Sequence, residues 1–344
     1  MKKLLTLSLA LFLCTLFAAN VYADEFKKSY QEKYDINPDA LLKVDTRYGD
    51  VEIKNWSENA ISIKVTITVN KSSQSKADDF FEKIDINLKG SSTMVSAVTE
   101  ISSLRGNNKF SIDYEIFAPK TISLNLTHKY GGVAIDDIEG EIDLGIKYGD
   151  FVAQKLMNSH CNIDLAYVDQ LNIEELENAN MNISYSEIDI SKASNLTIDS
   201  KFNEIDIDQV AVLIIDSDYD DLSIDNVDEM ELNGGFSDIN IENLTRKFWM
   251  DNNYGELDIN NVAAGFEIIE IESSHIDIDI DVESGASYKL DLYGAYSSFS
   301  IADGNYSVKQ PSYTSESING YVGSKSNTNS LIKVNGKYMD VKIK

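Results

Sequence analysis

"YSEIDI", Tyr185 to Ile190, is one of a series of near-copies: "YGDFVA" from Tyr148, "FNEIDI" from Phe202, "YDDLSI" from Tyr219, "FSDINI" from Phe236 and "YGELDI" from Tyr254. Each sets an aromatic residue, then a variable one, then an acid in most copies, then alternating apolar residues. Aligned on the aromatic, the copies fall at Tyr130, Tyr148, Tyr167, Tyr185, Phe202, Tyr219, Phe236 and Tyr254, and in weaker form at His275 and Tyr296. A fixed short period means stacked units that cannot fold singly. Within a unit the apolar period is two, so the elements are strands. Eight residues after most of the aromatics comes another apolar residue (Ile138, Leu156, Ala193, Val210, Val227, Leu244, Val262), placed to plug a second corner.

The fold these features predict is all-β: a β-solenoid of roughly 17–21-residue two-strand rungs, with an N-terminal β-sheet cap and a C-terminal closing hairpin. An antiparallel meander is the competing arrangement, but it needs neither constant unit length nor corner stacked on corner. In "MNISYSEIDISKA" the residues Met181, Ile183 and Tyr185 share one parity, which places the rings inside as a core ladder rather than outside as a sugar-stacking platform.

The flanks read differently. Lys2 and Lys3, an apolar run from Leu4 to about Ala19 and the small residue Ala23 make residues 1–23 a secretory signal peptide. Cys14 follows Leu13, where a lipid-anchor signal needs a small residue. Residues 24–129 form a β-rich capping region that carries an early motif copy, "YGDVEIKNW" at Tyr48 to Trp56. The repeats occupy 130–300, and 301–344 supplies loops and closing strands, with a last copy at Tyr338 to Ile343 expected at the far end.

With 57 acids against 30 bases and a net charge of -27, the chain repels nucleic acid and anionic lipid. No stretch beyond the signal is apolar enough for a transmembrane helix. Cys161 is the one remaining cysteine, so no internal disulfide forms.

"YGDVEIKNW", then "SIDYEIFAPKTISLNL" running into "KYGGVAIDDIEGEIDLGIKYGDFVA", resembles an uncharacterised adhesin-like β-strand-repeat family of bacterial envelope proteins. The resemblance covers the chain from about residue 44 onward. It implies a secreted or surface-exposed β-solenoid without assigned activity. Here the corner position held by Gly149 and Gly255 is also filled by Val168, Ser186, Asn203, Asp220, Ser237 and Ile276, so a left-handed glycine does not define that corner.

Candidate chemistry is sparse. His160 and Cys161 are sequence neighbours, which point to opposite faces of a strand and make a poor catalytic pair; His128 and His275 stand apart. Asp216, Asp218, Asp220, Asp221, Asp277 and Asp279 are the candidate Ca²⁺ ligands, although no calcium-binding nonapeptide is present. No other cofactor is expected. An acid column (Asp150, Asp169, Glu187, Glu204, Asp221, Asp238, Glu256) would run down one corner at about 5 Å spacing, each close pair repelling by roughly 0.8 kcal/mol in water. The expected function is non-enzymatic: an envelope interaction, adhesion-like or scaffolding role toward an envelope protein or glycan, in the periplasm, on the outer-membrane surface or outside the cell. A polysaccharide-binding or polysaccharide-cleaving solenoid is the alternative.

Overall fold

The structure, a computed structural model, describes residues 24–103 and 109–344. Residues 1–23, expected to be a signal peptide, lie outside the described residues. Among the described residues the fold is all-β apart from one short helix, Gln74–Phe81. Strand alternation follows the sequence period: in Ala193–Lys201 the residues Leu196, Ile198 and Ser200 are buried, while Asn195, Thr197 and Asp199 face out. Successive copies pair in parallel, counterpart on counterpart. Ile188 lies against Ile205, Ile205 against Leu222, Ile142 against Cys161 and Leu257 against Ile278.

This register stacks like on like, so the core is a set of apolar columns. Each buried Ile or Leu contributes about 1.5–3 kcal/mol, well above the repulsion between acids stacked outside. A copy has two walls: an entry wall leading into the aromatic corner, such as Ala193–Lys201, and an exit wall beyond it. The seven apolar residues placed eight positions after the aromatics are all buried, Ala193 the least so at 5% exposure.

The row of copies starts at Tyr48, inside the 24–129 region, rather than at Tyr130. Strand Leu41–Arg47 pairs in parallel with Ser123–Lys129, and Val51–Asn55 with Val133–Ile135. The intervening chain covers this first copy. Met94–Ile101 lies parallel on its entry wall, and Phe110–Ala118 on its exit wall. Outside these, Ala60–Lys71 runs antiparallel between Phe110–Ala118 and Asp24–Asp35. The backbone edge of the first copy is thereby hydrogen-bonded rather than open.

At the other end the last copy is not terminal. Leu331–Ile343 inserts between Ile268–Val282 and the pair Tyr288–Ala295 and Ser298–Ile301, parallel to all three. Its Ile332, Val334, Met339, Val341 and Ile343 are buried, which suits an interior copy covered on both sides. The outermost copy, 288–301, has only half-buried Phe299 and Ile301 on its exit wall. The hairpin Gly304–Ser312 and Ser315–Val322 pairs antiparallel on its entry wall.

Candidate functional site

The corner aromatics are outside, not in the core. Twelve residues, Tyr48 and Tyr338 together with the ten expected corner positions, take φ of 53° to 67°, and they are the non-glycine residues with positive φ among the described residues. A left-handed residue breaks strand alternation, so the ring leaves the parity of Ile183 and swings outward, while the next residue, Ser186, turns in. Among the corner tyrosines and phenylalanines from Tyr130 onward, exposure runs from 40% at Phe202 to 60% at Tyr296.

These rings stack in one row: Tyr48, Tyr130, Tyr148, Tyr167, Tyr185, Phe202, Tyr219, Phe236, Tyr254, His275, Tyr338, Tyr296. Neighbouring centroids are 4.7 to 5.1 Å apart, which makes a strip about 54 Å long. A left-handed side-chain residue costs about 1–2 kcal/mol. Two stacking neighbours return about 0.5–1.5 kcal/mol each, so the stack offsets its own backbone strain. Except at Tyr296, which ends the row with one neighbour, ring faces are taken by neighbours, leaving edges and hydroxyls to solvent. None of the tyrosine hydroxyls in the row has a hydrogen-bond partner among the described residues.

Behind the row, the corner interior is filled from two positions, the residue two before the ring and the one directly after it. Where His128 fills the space, Gly131 sits opposite, and a Cβ there would lie 3.0 Å from His128 Nε2. Where Met339 fills it, the facing residue is Gly336. Between these ends the filler is apolar at Ile146, Leu165, Ile183 and Ile276 and polar from Asn203 to Asn252. The Ser186 amide donates to Asn203 Oδ1 at 2.9 Å, the Asn203 amide to Asp220 Oδ1 at 2.7 Å, and the Ser217 hydroxyl to Asp220 Oδ2 at 2.8 Å. Burial pushes the Asp220 carboxyl above its usual range, against the downward pull of those donors. His128 is fully buried with both ring nitrogens unpartnered. Burial holds its pKa below the usual imidazole value, against the opposing pull of Asp50 and the Gly49 and Gly131 backbone.

The candidate calcium ligands diverge. Asp220 points into the corner, Asp216 and Asp221 face out, and Asp218 pairs with Lys201 at 3.5 Å. Asp277 is exposed, and Asp279 is held by Lys344 at 2.9 Å. Among the described residues no three His, Cys, Asp or Glu side chains converge as a metal cluster. The acid column is real from Glu187 through Glu204 to Asp221, but an extra residue at Asp169 and Gln170 interrupts it. His160 and Cys161 do point apart: Cys161 is buried with its thiol pushed up to about 12, whereas His160 is exposed. His275 is a ring of the outer row.

Sequence reasoning missed a trough on the entry wall beside the row. One hollow of about 470 Å³ is lined by Asn162, Asp164, Asn180, Thr197, Asp199 and Asp216, among others. A second, of about 370 Å³, adjoins it through Asp164 and Asn182 and reaches Lys129 and Lys147. The floor is low because Gly145 and Ala166 replace larger outward residues there. The missed signal was the small residue at Gly145, two residues before Lys147, on a strand that needs no glycine.

No family model and no curated protein matches the sequence. Solved structures similar to it include a candidate cell adhesion protein of Clostridium sporogenes, 11% identical, covering 92% of this chain and 100% of that one with a TM-score of 0.21. A candidate adhesin of Bacteroides fragilis is 10% identical over 92% and 97%, with a TM-score of 0.31. A candidate lipid binding protein of Parabacteroides distasonis is 8% identical over 92% and 96%, also with a TM-score of 0.31. Likeness at this level carries no argument about what the chain binds. Among the described residues no helix is long and apolar enough to cross a membrane.

Proposed function

We propose that the chain is a β-solenoid exported to the cell envelope, acting without catalysis as an adhesion-like or scaffolding surface for an envelope protein or glycan. The observation that supports this best is the outward aromatic row. A continuous exposed strip of rings is unusual on a surface that meets only water. Its open hydroxyls offer donors and acceptors along the whole strip, and Phe202 and Phe236 show that the stack itself does not require them. The polysaccharide-binding alternative draws on a separate feature, the trough beside Lys129 and Lys147.

The test uses the exported chain and its triple variant Tyr130→Phe, Tyr148→Phe and Tyr167→Phe, which keeps the rings and removes three hydroxyls. Both should melt at the same temperature. The parent should be retained saturably by envelope fractions and the variant more weakly. Absence of retention by the parent, or equal retention of the two, would overturn the reading.

A further inference from the structure

Three cations stand in register at the N-terminal end of the entry wall, each directly before a ring of the row. Arg47 lies against Lys129 and Lys129 against Lys147, at the strand spacing of about 4.8 Å. In a chain of net charge -27, with Lys155, Lys192, Arg246, Lys247, Lys333 and Lys344 all taken by carboxylates, the side chains of these three have neither an ion pair nor a hydrogen bond among the described residues. Asp45 and Glu100 line a hollow together with Arg47 and Lys129, whereas Lys129 and Lys147 also line the adjoining hollow, where Asp164 is the one carboxylate.

Two residues before the lysines on the same strands the wall is open. Gly145 pairs with Thr127 and with Asp164 on either side, and a Cβ placed on it would meet nothing closer than Thr127 Oγ1 at 3.8 Å. No backbone strain or packing demands a glycine here. A strand glycine of that kind marks a place where something approaches closely. Two cations, a hydroxyl from Thr127, a carboxylate from Asp164 and an amide from Asn182 surround the opening.

We propose that this opening binds an acidic sugar residue of a glycan, and that the neighbouring sugars lie along the Asn162, Asn180 and Thr197 field. Lys129 and Lys147 clasp the sugar carboxylate. Asp164 and Asn182 bond its hydroxyls, and the bare Gly145 floor admits its ring. The mixture selects among anions. A phosphate group concentrates up to two negative charges on one centre and offers no sugar ring to the Gly145 floor, and an anionic membrane would bring many charges against the chain's own acids. A uronate brings one carboxylate together with donors for Asp164. This assignment rests on the envelope-interaction reading and names a ligand class for it.

The experiment titrates the exported chain with a galactose oligosaccharide carrying a single galacturonate residue at physiological salt, with neutral galactose oligosaccharides, inorganic phosphate and vesicles containing anionic lipid as comparators. Two variants are measured beside it: Lys129→Gln with Lys147→Gln, which removes the charge, and Gly145→Val, which fills the floor and leaves the charge intact. Saturable binding of the uronate, weaker binding of the neutral sugar, and a loss of about tenfold or more in each variant at unchanged melting temperature is the expected result. Absence of uronate binding, equal or tighter binding of phosphate or vesicles, or indifference to both variants overturns the assignment. The same variants are run in the envelope-retention assay. Retention that persists while uronate binding fails sinks the sugar assignment alone, whereas loss of retention by the parent chain sinks the wider reading.

Discussion

The left-handed aromatic is where this protein departs from ordinary strand chemistry. A side chain at φ near 60° normally yields to glycine, yet here a ring recurs because its neighbours above and below repay the strain through stacking. Two substitutions separate the terms. Tyr185→Gly removes stacking and strain together; Tyr185→Ala removes stacking and keeps the strain. Glycine should therefore be the less destabilising of the two, by about 1 kcal/mol, the reverse of the usual strand preference. Chemical denaturation of both variants checks this. If alanine proves as good as glycine, the backbone strain has been misplaced.

Two buried titratable groups behind the row respond oppositely to pH. The pKa of His128 is lowered by burial, so the unfolded chain binds its proton more readily, and stability falls as pH drops from about 6.5 toward the lower folded value. His128→Leu should flatten this acid-side loss in melting temperature between pH 7 and 5. Asp220 has a raised pKa. Its contribution is full below the unfolded value of about 3.9 and is lost as pH rises through the folded value. Asp220→Asn keeps an acceptor for the Asn203 amide and removes that loss, so the variant should melt higher than the parent at neutral pH. A lower melting point would mean that the carboxylate's hydrogen bonds outweigh its desolvation.

At the scale of the element, the unit is one copy, and its length matters more than its composition. Counterparts 17 residues apart, such as Ile205 and Leu222, share a column. Deleting residues 203–219 joins Phe202 to Asp220 and restores the register, so the shortened chain should fold with cooperative unfolding and an intact strand signal by circular dichroism. Deleting eight residues from the same place would bring an exit wall under an entry wall and should abolish cooperativity. The C-terminal strand Leu331–Ile343 is an element of another kind. It arrives after the copy that covers it, so truncation before Leu331 leaves the edges of Ile268–Val282 and Tyr288–Ala295 without their partner. Such a truncated chain is expected to self-associate, as seen by light scattering.

At the scale of the whole molecule, the apolar columns bear the electrostatic load. Parallel stacking aligns acids with acids: Asp206 has its carboxyl pKa raised by partial burial and by Asp189 beside it. Raising salt screens such repulsion over a Debye length of about 8 Å at physiological strength, so the melting temperature should climb with sodium chloride. Calcium should do no better than magnesium at matched ionic strength, because Asp216, Asp218, Asp220 and Asp221 point in different directions. A calcium-specific rise in melting temperature would contradict that geometry.

The period of the motif, read from spacing alone, determined which residues stack and which are buried, because strand alternation and a constant repeat leave little freedom to either. The far-corner apolar residues and the columns through Ile188, Ile205 and Leu222 were legible in that way. Where the rings point was not, since parity counting assumes extended backbone at every residue and one left-handed residue reverses it. Nor did spacing show that Tyr48 and Tyr338 join the row, because each is brought to it by long-range pairing: Tyr48 across the covering strands, and Tyr338 by insertion between copies that precede it in the chain. The trough depended on tertiary structure for the same reason. Lys129, Gly145 and Asp164 lie on three successive copies, and only parallel registration makes one hollow of them.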